Sequence, residues 1–315
     1  MKKISYVTFD QKYLTAVVEC WNAELRYDPI SEKRFESLYL FNEDFDPALL
    51  QLALVDEKVV GFCLGIKRKV SYNTAGLEPH KGWILNIAVL QEYQKQGIGT
   101  TLLQLVEQEL TNQGASTIIV GAYTPNYLVP GVDLRYEKGL GFFKKHQYIT
   151  SNEAVSMQRS LFQFEMPEYS KNKIKELAAE GIVIKNYTKQ YYSKLMNFLA
   201  KEFSPGWMRN FTIALQRCEA EETVIICLDK EDNILGYCMR KLDGNDARFG
   251  PIGVAEAERS KGLGGVLFDR QMLEMKKRGI YCAYFLWTSG PAVKFYQRHG
   301  MEVFRTFEVM AKEVV

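Results

Sequence analysis

No two of the six cysteines (Cys20, Cys63, Cys218, Cys227, Cys238, Cys282) are spaced C-x-x-C, and most fall in apolar strand or helix patterns. That argues against a zinc site or a disulfide framework and leaves buried free thiols, which implies a reducing, cytoplasmic setting. Histidine is scarce, three in all and far apart, so no metal site is expected. Charge of one sign is missing too. Forty Lys and Arg against 38 Asp and Glu leave a net +2, which does not suggest binding to nucleic acid or an anionic membrane. No apolar run approaches the length of a membrane span. The N-terminal MKKISYVTFDQKY has two lysines but no apolar stretch after them, so it does not read as a signal peptide. What is present is ordinary globular composition, 47% hydrophobic and 25% charged in 315 residues, enough for two domains with cores of their own.

The chain then repeats itself. Val89–Leu103, VLQEYQKQGIGTTLL, and Val254–Phe268, VAEAERSKGLGGVLF, each leave the apolar end of a strand, cross a polar turn and reach a Gly-x-Gly pair (Gly97/Gly99; Gly262/Gly264). The offset is 165 positions, and it also matches Gln94 to Arg259 and Gly114 to Gly279. A period this long indicates a duplicated domain rather than a solenoid. A glycine loop that opens a helix suits an anion. The first helical amides lack intrahelical partners, the helix dipole is positive there, and glycine lets a phosphate approach the backbone. Lys95 adds charge in the first copy, Arg259 and Lys261 in the second. Glycines serving only the geometry of a strand–turn–helix corner would explain one copy; two copies in one register, both with basic residues, favour the anion. A dinucleotide-binding loop would need a third glycine where Leu102 and Leu267 stand.

Periodicity and turn residues order the rest. The first half reads as a strand at Ile4–Phe9, a helix at Tyr13–Leu25, a helix capped by Ser31, and a hairpin of Leu50–Val55 and Lys58–Ile66. Lys67–Gly82 is a polar excursion. Trp83–Val89, the loop helix and the strand Thr117–Ala122 follow, then an insertion near Pro125–Tyr136, a helix Lys138–His146 and a strand Ala154–Leu161. The second half repeats the order, with Phe249–Val254 as its central strand and Leu263–Lys277 as its loop helix. The expected boundaries are 1–166 and 167–315, with a partly helical linker near 163–181.

Gln94-Lys-Gln-Gly97-Ile-Gly99 and Arg259-Ser-Lys-Gly262-Leu-Gly264 resemble motif A of the GNAT acyltransferases, Q/R-x-x-G-x-G/A. The resemblance covers nearly the whole chain. It implies an α/β fold with a mixed sheet, as two tandem acyl-CoA N-acyltransferase domains, and acetyl-CoA as the acyl donor. By the same resemblance the cofactor lies on Ile87, Ala88, Val89, Gln94, Lys95, Gln96, Gly97, Ile98, Gly99 and Thr100. In the second half it lies on Ile252, Gly253, Val254, Arg259, Ser260, Lys261, Gly262, Leu263, Gly264, Gly265 and Ser289. Ser289 takes a place that is Asn in the family pattern.

Acyl transfer to an amine needs a neutral amine, a donor for the developing oxyanion and a proton for the departing thiolate. In the family the last role commonly falls to a tyrosine, and Ala292-x-x-Phe295-Tyr296-x-x-x-Gly300 places Tyr296 there as general acid. The first half has Phe143 at that position and Gln147 at the glycine, which favours catalysis in the second half. Tyr123, Tyr127 and Asp133 are the first half's other proton-bearing candidates, and Glu202 is a weak candidate base. The aromatic corner Phe203–Trp207 and the insertion are candidates for the acceptor site. The expected reaction is acetyl transfer to a primary amine of a small molecule, amino sugars among them, by a monomer or homodimer. A mycothiol-synthase-like tandem enzyme and a non-catalytic acetyl-CoA-binding module are the alternatives.

Overall fold

The computed structural model describes residues 3–72, 75–124 and 128–314. The chain forms two compact units: Met1–Ala154 with Thr306–Val315, and Val155–Arg305. The division therefore falls elsewhere than the expected 166/167. It lies inside a strand, and the last ten residues belong to the first unit. The sequence places a closing strand at Ala154–Leu161, but a strand pattern alone does not say which unit the strand completes.

The first unit contains β1 (Ile4–Thr8), α1 (Leu14–Glu24), α2 (Glu32–Phe35), β2 (Leu50–Val55), β3 (Lys58–Ile66), β4 (Lys81–Val89), α3 (Ile98–Asn112), β5 (Thr117–Val120), β6 (Val132–Asp133), α4 (Glu137–Lys145) and the start of β7 (Ile149–Ser160). The second holds the rest of β7, then α5 (Glu168–Ala179), β8 (Val183–Asn186), α6 (Tyr192–Glu202), α7 (Pro205–Gln216), α8 (Ala220–Thr223), β9 (Val224–Leu228), β10 (Ile234–Arg240), β11 (Phe249–Val254), α9 (Leu263–Lys277), β12 (Cys282–Thr288) and α10 (Pro291–Arg298). β13 (Glu302–Glu313) begins there and ends in the first unit.

In the first unit β1 to β4 form an antiparallel meander, β4 pairs with β5 in parallel, and the end of β13 pairs antiparallel with β5. Asp56 and Glu57 make the β2–β3 turn with φ of 49° and 65°, the two-residue hairpin geometry that matches strand twist. α1 buries Leu14, Val17, Val18 and Trp21 on one face of the sheet, and α3 buries Ile98, Leu102, Leu103, Val106 and Leu110 on the other. Among the described residues, the 67–82 excursion carries no strand before Lys81. It is held instead by buried Arg68, which pairs with Glu78 at 2.9 Å. The strand expected to reach Ala122 stops at Val120, because Gly121 and Ala122 both take positive φ.

The second unit repeats the meander as β8–β9–β10–β11, with β12 antiparallel to β7. α3 and α9 sit 165 positions apart at both ends, as do the 3-10 turns Gln91–Tyr93 and Glu256–Glu258 that precede them. The duplication extends to side-chain packing. Gly61 pairs with Val89 and Gly236 with Val254. A Cβ on either glycine would press on the loop helix, at Leu102 (3.3 Å) or Leu267 (2.8 Å).

Candidate active site

Each loop turns through a left-handed glycine, Gly97 at φ +84° and Gly262 at φ +85°, which is the helix N-cap. The residue two before it is also left-handed, Lys95 at 59° and Ser260 at 68°. No side chain caps either helix. The first i→i−4 bonds are Thr101 N–H to Gly97 O and Val266 N–H to Gly262 O. The amides of Ile98, Gly99 and Thr100, and of Leu263, Gly264 and Gly265, therefore lie outside the helical ladder, at its positive end. These cradles fit a diphosphate.

Beside each loop the sheet divides. β4 pairs with β5 only from Lys81 to Ile84, and Gly121 N–H to Ile84 O closes that ladder. Ile87, Ala88 and Val89 keep β3 as their ladder partner. In the second unit the β11 side meets β12 through one bridge, Arg248 with Tyr284, and Ile252, Gly253 and Val254 continue paired to β10. A strand edge freed in this way can take the amides of an extended acyl carrier.

The turn before each loop is fixed by a glutamate. Glu24 accepts the Gln91 amide at 2.8 Å, and Glu202 accepts the Glu256 amide at 3.0 Å, 165 positions on. This matched use assigns Glu202, the candidate base, to a structural cap. Gln94 donates to Val89 O (2.8 Å) and Glu24 (3.0 Å), which ties strand to turn. Gln96 donates back to Glu92 O, and Lys261 pairs with Glu258 at 2.8 Å, while Arg259 and Lys95 are exposed.

Tyr296 lies on α10 with its ring 4.5 Å from Phe285 of β12 and 6.1 Å from Phe268 of α9. Burial, with a smaller contribution from nearby Cys238, pushes its hydroxyl above the ordinary phenol value. It therefore holds its proton at neutral pH, as a general acid must. Ser289 follows β12 directly and is half-buried. At the matched position Phe143 is buried against Tyr148, with ring centroids 5.2 Å apart.

The first unit's other candidates are engaged elsewhere. Tyr123 is fully buried and donates to Asp44, with the Arg68 guanidinium over its ring at 5.2 Å. Asp133 is 2% exposed and holds Arg135 through Nη2 at 2.6 Å and Nε at 2.9 Å. Tyr127 lies outside the described residues.

Three features went unforeseen. The stem of Lys173, from α5, lies over the second loop: a Cβ on Gly262 would come within 3.2 Å of its Cε, whereas one on Gly97 would meet nothing within 4 Å. Buried Asp269 accepts from Tyr169 (2.9 Å) and Ser170 (2.6 Å) and faces His299 at 3.4 Å. The His299 ring edge closes on Gly265, and its counterpart His146 lies 3.1 Å from Thr100 Oγ1. A signal existed for the pair: each histidine stands third after the Tyr296 or Phe143 position. An acid amid the apolar positions of α9 was a signal for Asp269.

Among the described residues no group of three or more His, Cys, Asp or Glu is placed to hold a metal, and no helix is long and apolar enough to cross a membrane. The acetyltransferase (GNAT) family matches residues 14–142, and the acetyltransferase (GNAT) domain matches residues 220–303. An N-alpha-acetyltransferase of Saccharolobus solfataricus is 33% identical over 120 residues, which covers 35% of this chain and 68% of that protein. Two solved structures share the fold over nearly all of this chain. One is the glucosamine N-acetyltransferase region of a fungal multi-domain beta-N-acetylglucosaminidase (TM-score 0.79, 19% identity, 99% of this chain). This chain spans 38% of that protein. The other is a tandem GNAT protein of clavulanic acid biosynthesis (TM-score 0.63, 12% identity, 99% of this chain and 98% of that). With a matching domain in each half and this relative among known acetyltransferases, the chain belongs to the GNAT acetyltransferase family, as a tandem of two such domains and an acyltransferase.

Proposed function

We propose that the chain moves an acetyl group from acetyl-CoA to a primary amine of a small molecule, amino sugars among them, by direct attack on the thioester, and that the second unit carries the chemistry. One observation carries the choice of unit. α10 presents Tyr296, half-buried between β12 and α9, at the position where α4 presents Phe143. A phenylalanine has no proton to give a departing thiolate, and the first unit's other candidates among the described residues, Tyr123 and Asp133, are engaged.

In this reading the amides of Leu263, Gly264 and Gly265 hold the cofactor's diphosphate, with Arg259, Lys261 and the Lys173 stem around it. Ile252–Val254 would align the acyl arm, and a backbone N–H near Val254 would serve the thioester oxygen. The cofactor supplies the activated acyl group. This chain orients it, excludes water with the aromatic rings around Tyr296, and returns a proton from the Tyr296 hydroxyl. The first unit, through Gly97–Thr100 and Ile87–Val89, binds the same cofactor without a free proton donor among the candidates that are described.

The amino-sugar acceptor is supported by the aromatic corner over β11 and by the likeness in fold to the fungal glucosamine N-acetyltransferase region. A peptide α-amine is the competing acceptor, since the archaeal relative is by name an N-alpha-acetyltransferase. An acetyl-CoA consumption assay over amino sugars, polyamines, aliphatic amines and peptides decides between them. Turnover confined to peptides would remove the small-molecule reading.

A further inference from the structure

Tyr237 is fully buried, and among the described residues its hydroxyl has no hydrogen-bond partner. It sits on β10 opposite Gly253 of β11, so both face the same side of the sheet. That side is covered by the α6–α7 corner. Phe203 and Trp207 stack face to face at 4.0 Å, 6° from parallel, and stand edge-on above Gly253, where a Cβ would come 2.4 Å from Phe203 Cζ and 2.8 Å from Trp207 Cζ3. Tyr237 continues the row, 6.0 Å beyond Trp207.

The first unit shows what a purely structural solution looks like. Phe62 occupies the matched register position, opposite Ala88, stacked 5.7 Å from Trp21 and carrying no hydroxyl. A buried hydroxyl without a partner costs stability, and phenylalanine removes that cost while keeping the ring. Burial also raises the hydroxyl's pKa, so it is a neutral donor and acceptor.

We propose that the Tyr237 hydroxyl is a specificity-determining group of the second unit, hydrogen-bonding a ring hydroxyl of a polyhydroxylated ring amine that stacks beside Trp207 when the indole turns away from Gly253. The proposal rests on the small-molecule reading above and narrows it. Two half-exposed rings, Phe203 and Trp207, form the cover, and both lie at the corner that Pro205 opens. Aromatic faces suit the C–H face of a sugar, and a neutral phenol suits a hydroxyl more than a charged group. A site built around a substrate hydroxyl discriminates strongly against the analogue that lacks it.

The test is Tyr237→Phe in the full chain, read three ways. Melting without ligand should occur at the same temperature as wild type or higher. With acetyl-CoA saturating, KM for glucosamine should rise about tenfold and kcat should change little, the size of one lost neutral hydrogen bond. KM for cyclohexylamine, a ring amine without hydroxyls, should not move. A lowered melting temperature, an unchanged glucosamine KM, or equal losses for both amines would overturn the proposal. Calorimetry of glucosamine against the CoA-loaded protein separates the two readings. Glucosamine that binds more weakly to the variant, without turnover of any amine, supports Tyr237 and sinks the proposed reaction. Glucosamine that binds neither protein sinks the Tyr237 assignment, whatever other amine is acetylated.

Discussion

Among the matched positions of the two units, three carry the contrast proposed for the acyl site. Phe143 is matched by Tyr296, Phe62 by Tyr237 and Ala88 by Gly253. In the first unit each choice makes a satisfied core: Phe143 packs on Tyr148, Phe62 stacks on Trp21, and Ala88 fills its own place. In the second each choice departs from the best packing. One hydroxyl sits on the half-buried ring of Tyr296, a second has no partner among the described residues, and the glycine is overhung by two rings. Polar groups held against a packing cost are what a site requires, and their absence is what a scaffold requires. The loops diverge less, since both keep the left-handed glycine and the uncapped amides, although only Gly262 lies under the Lys173 stem. On the proposed function, duplication has preserved the loop geometry in both units and kept the chemistry in one.

The sharpest way to break this contrast is to block one loop at a time. Gly262→Glu sets a side chain at φ +85° and a negative charge in the cradle. It should lower kcat/KM by more than about 100-fold. Gly97→Glu should leave turnover within about threefold while calorimetry records one CoA site lost. Equal loss from both substitutions would make the units joint catalysts, and no loss from either would empty both site assignments. Next in size, Tyr296→Phe should reduce kcat by about 100-fold with CoA affinity unchanged, the usual worth of a general acid. Full activity in that variant would pass the proton to water.

Much of this was legible before the fold. The predicted bounds Leu263–Lys277 are the observed bounds of α9, because the helical period and a left-handed glycine both mark that start. The hairpin strands Leu50–Val55 and Lys58–Ile66 were equally plain, since two turn residues fix their register. The Tyr237–Phe62 match was not legible. The second hairpin turns through Asp229–Asn233 rather than two residues, so the offset there is no longer 165, and only the pairings Gly61 with Val89 and Gly236 with Val254 restore it. The division of β7 and β13 between units was hidden for a similar reason. Each is a 12-residue strand, and its pattern does not mark where along it one unit ends. Glu202, a weak candidate base in the sequence, accepts the Glu256 amide, because a carboxylate's use depends on which amide it meets.

A smaller test exchanges the residues under the aromatic corner. Gly253→Ala places a methyl where Phe203 and Trp207 already stand, so it should destabilise by about 1–3 kcal/mol or displace the rings. The reverse change, Ala88→Gly, should cost about 1–2 kcal/mol, through backbone freedom and the loss of one buried methyl. Chemical denaturation measures both. If Gly253→Ala proved neutral, the stack would not be seated on β11 and the cover assigned to the acceptor site would be lost.

The smallest expected effect is an absence of change with pH. A tyrosine whose pKa is raised above its ordinary value of 10 is protonated in both folded and unfolded chains at neutral pH, so it neither gains nor loses a proton there. With Tyr296 as donor, kcat/KM should rise as the acceptor amine deprotonates and then stay level, with no falling limb up to pH 9. Above that the fold itself weakens in both units. The thiols of Cys20 and Cys227 are pushed by burial from 9.0 to about 12, so their contribution is intact below pH 9 and is lost as pH climbs toward 12. A pH–rate profile of stable protein therefore separates the two causes. A falling limb centred between pH 7 and 9, with the melting temperature still constant, would mean that the essential acid titrates far below a buried phenol. Tyr296 would then be a packed aromatic like Phe143, and the chemical difference between the units would rest on Tyr237 alone.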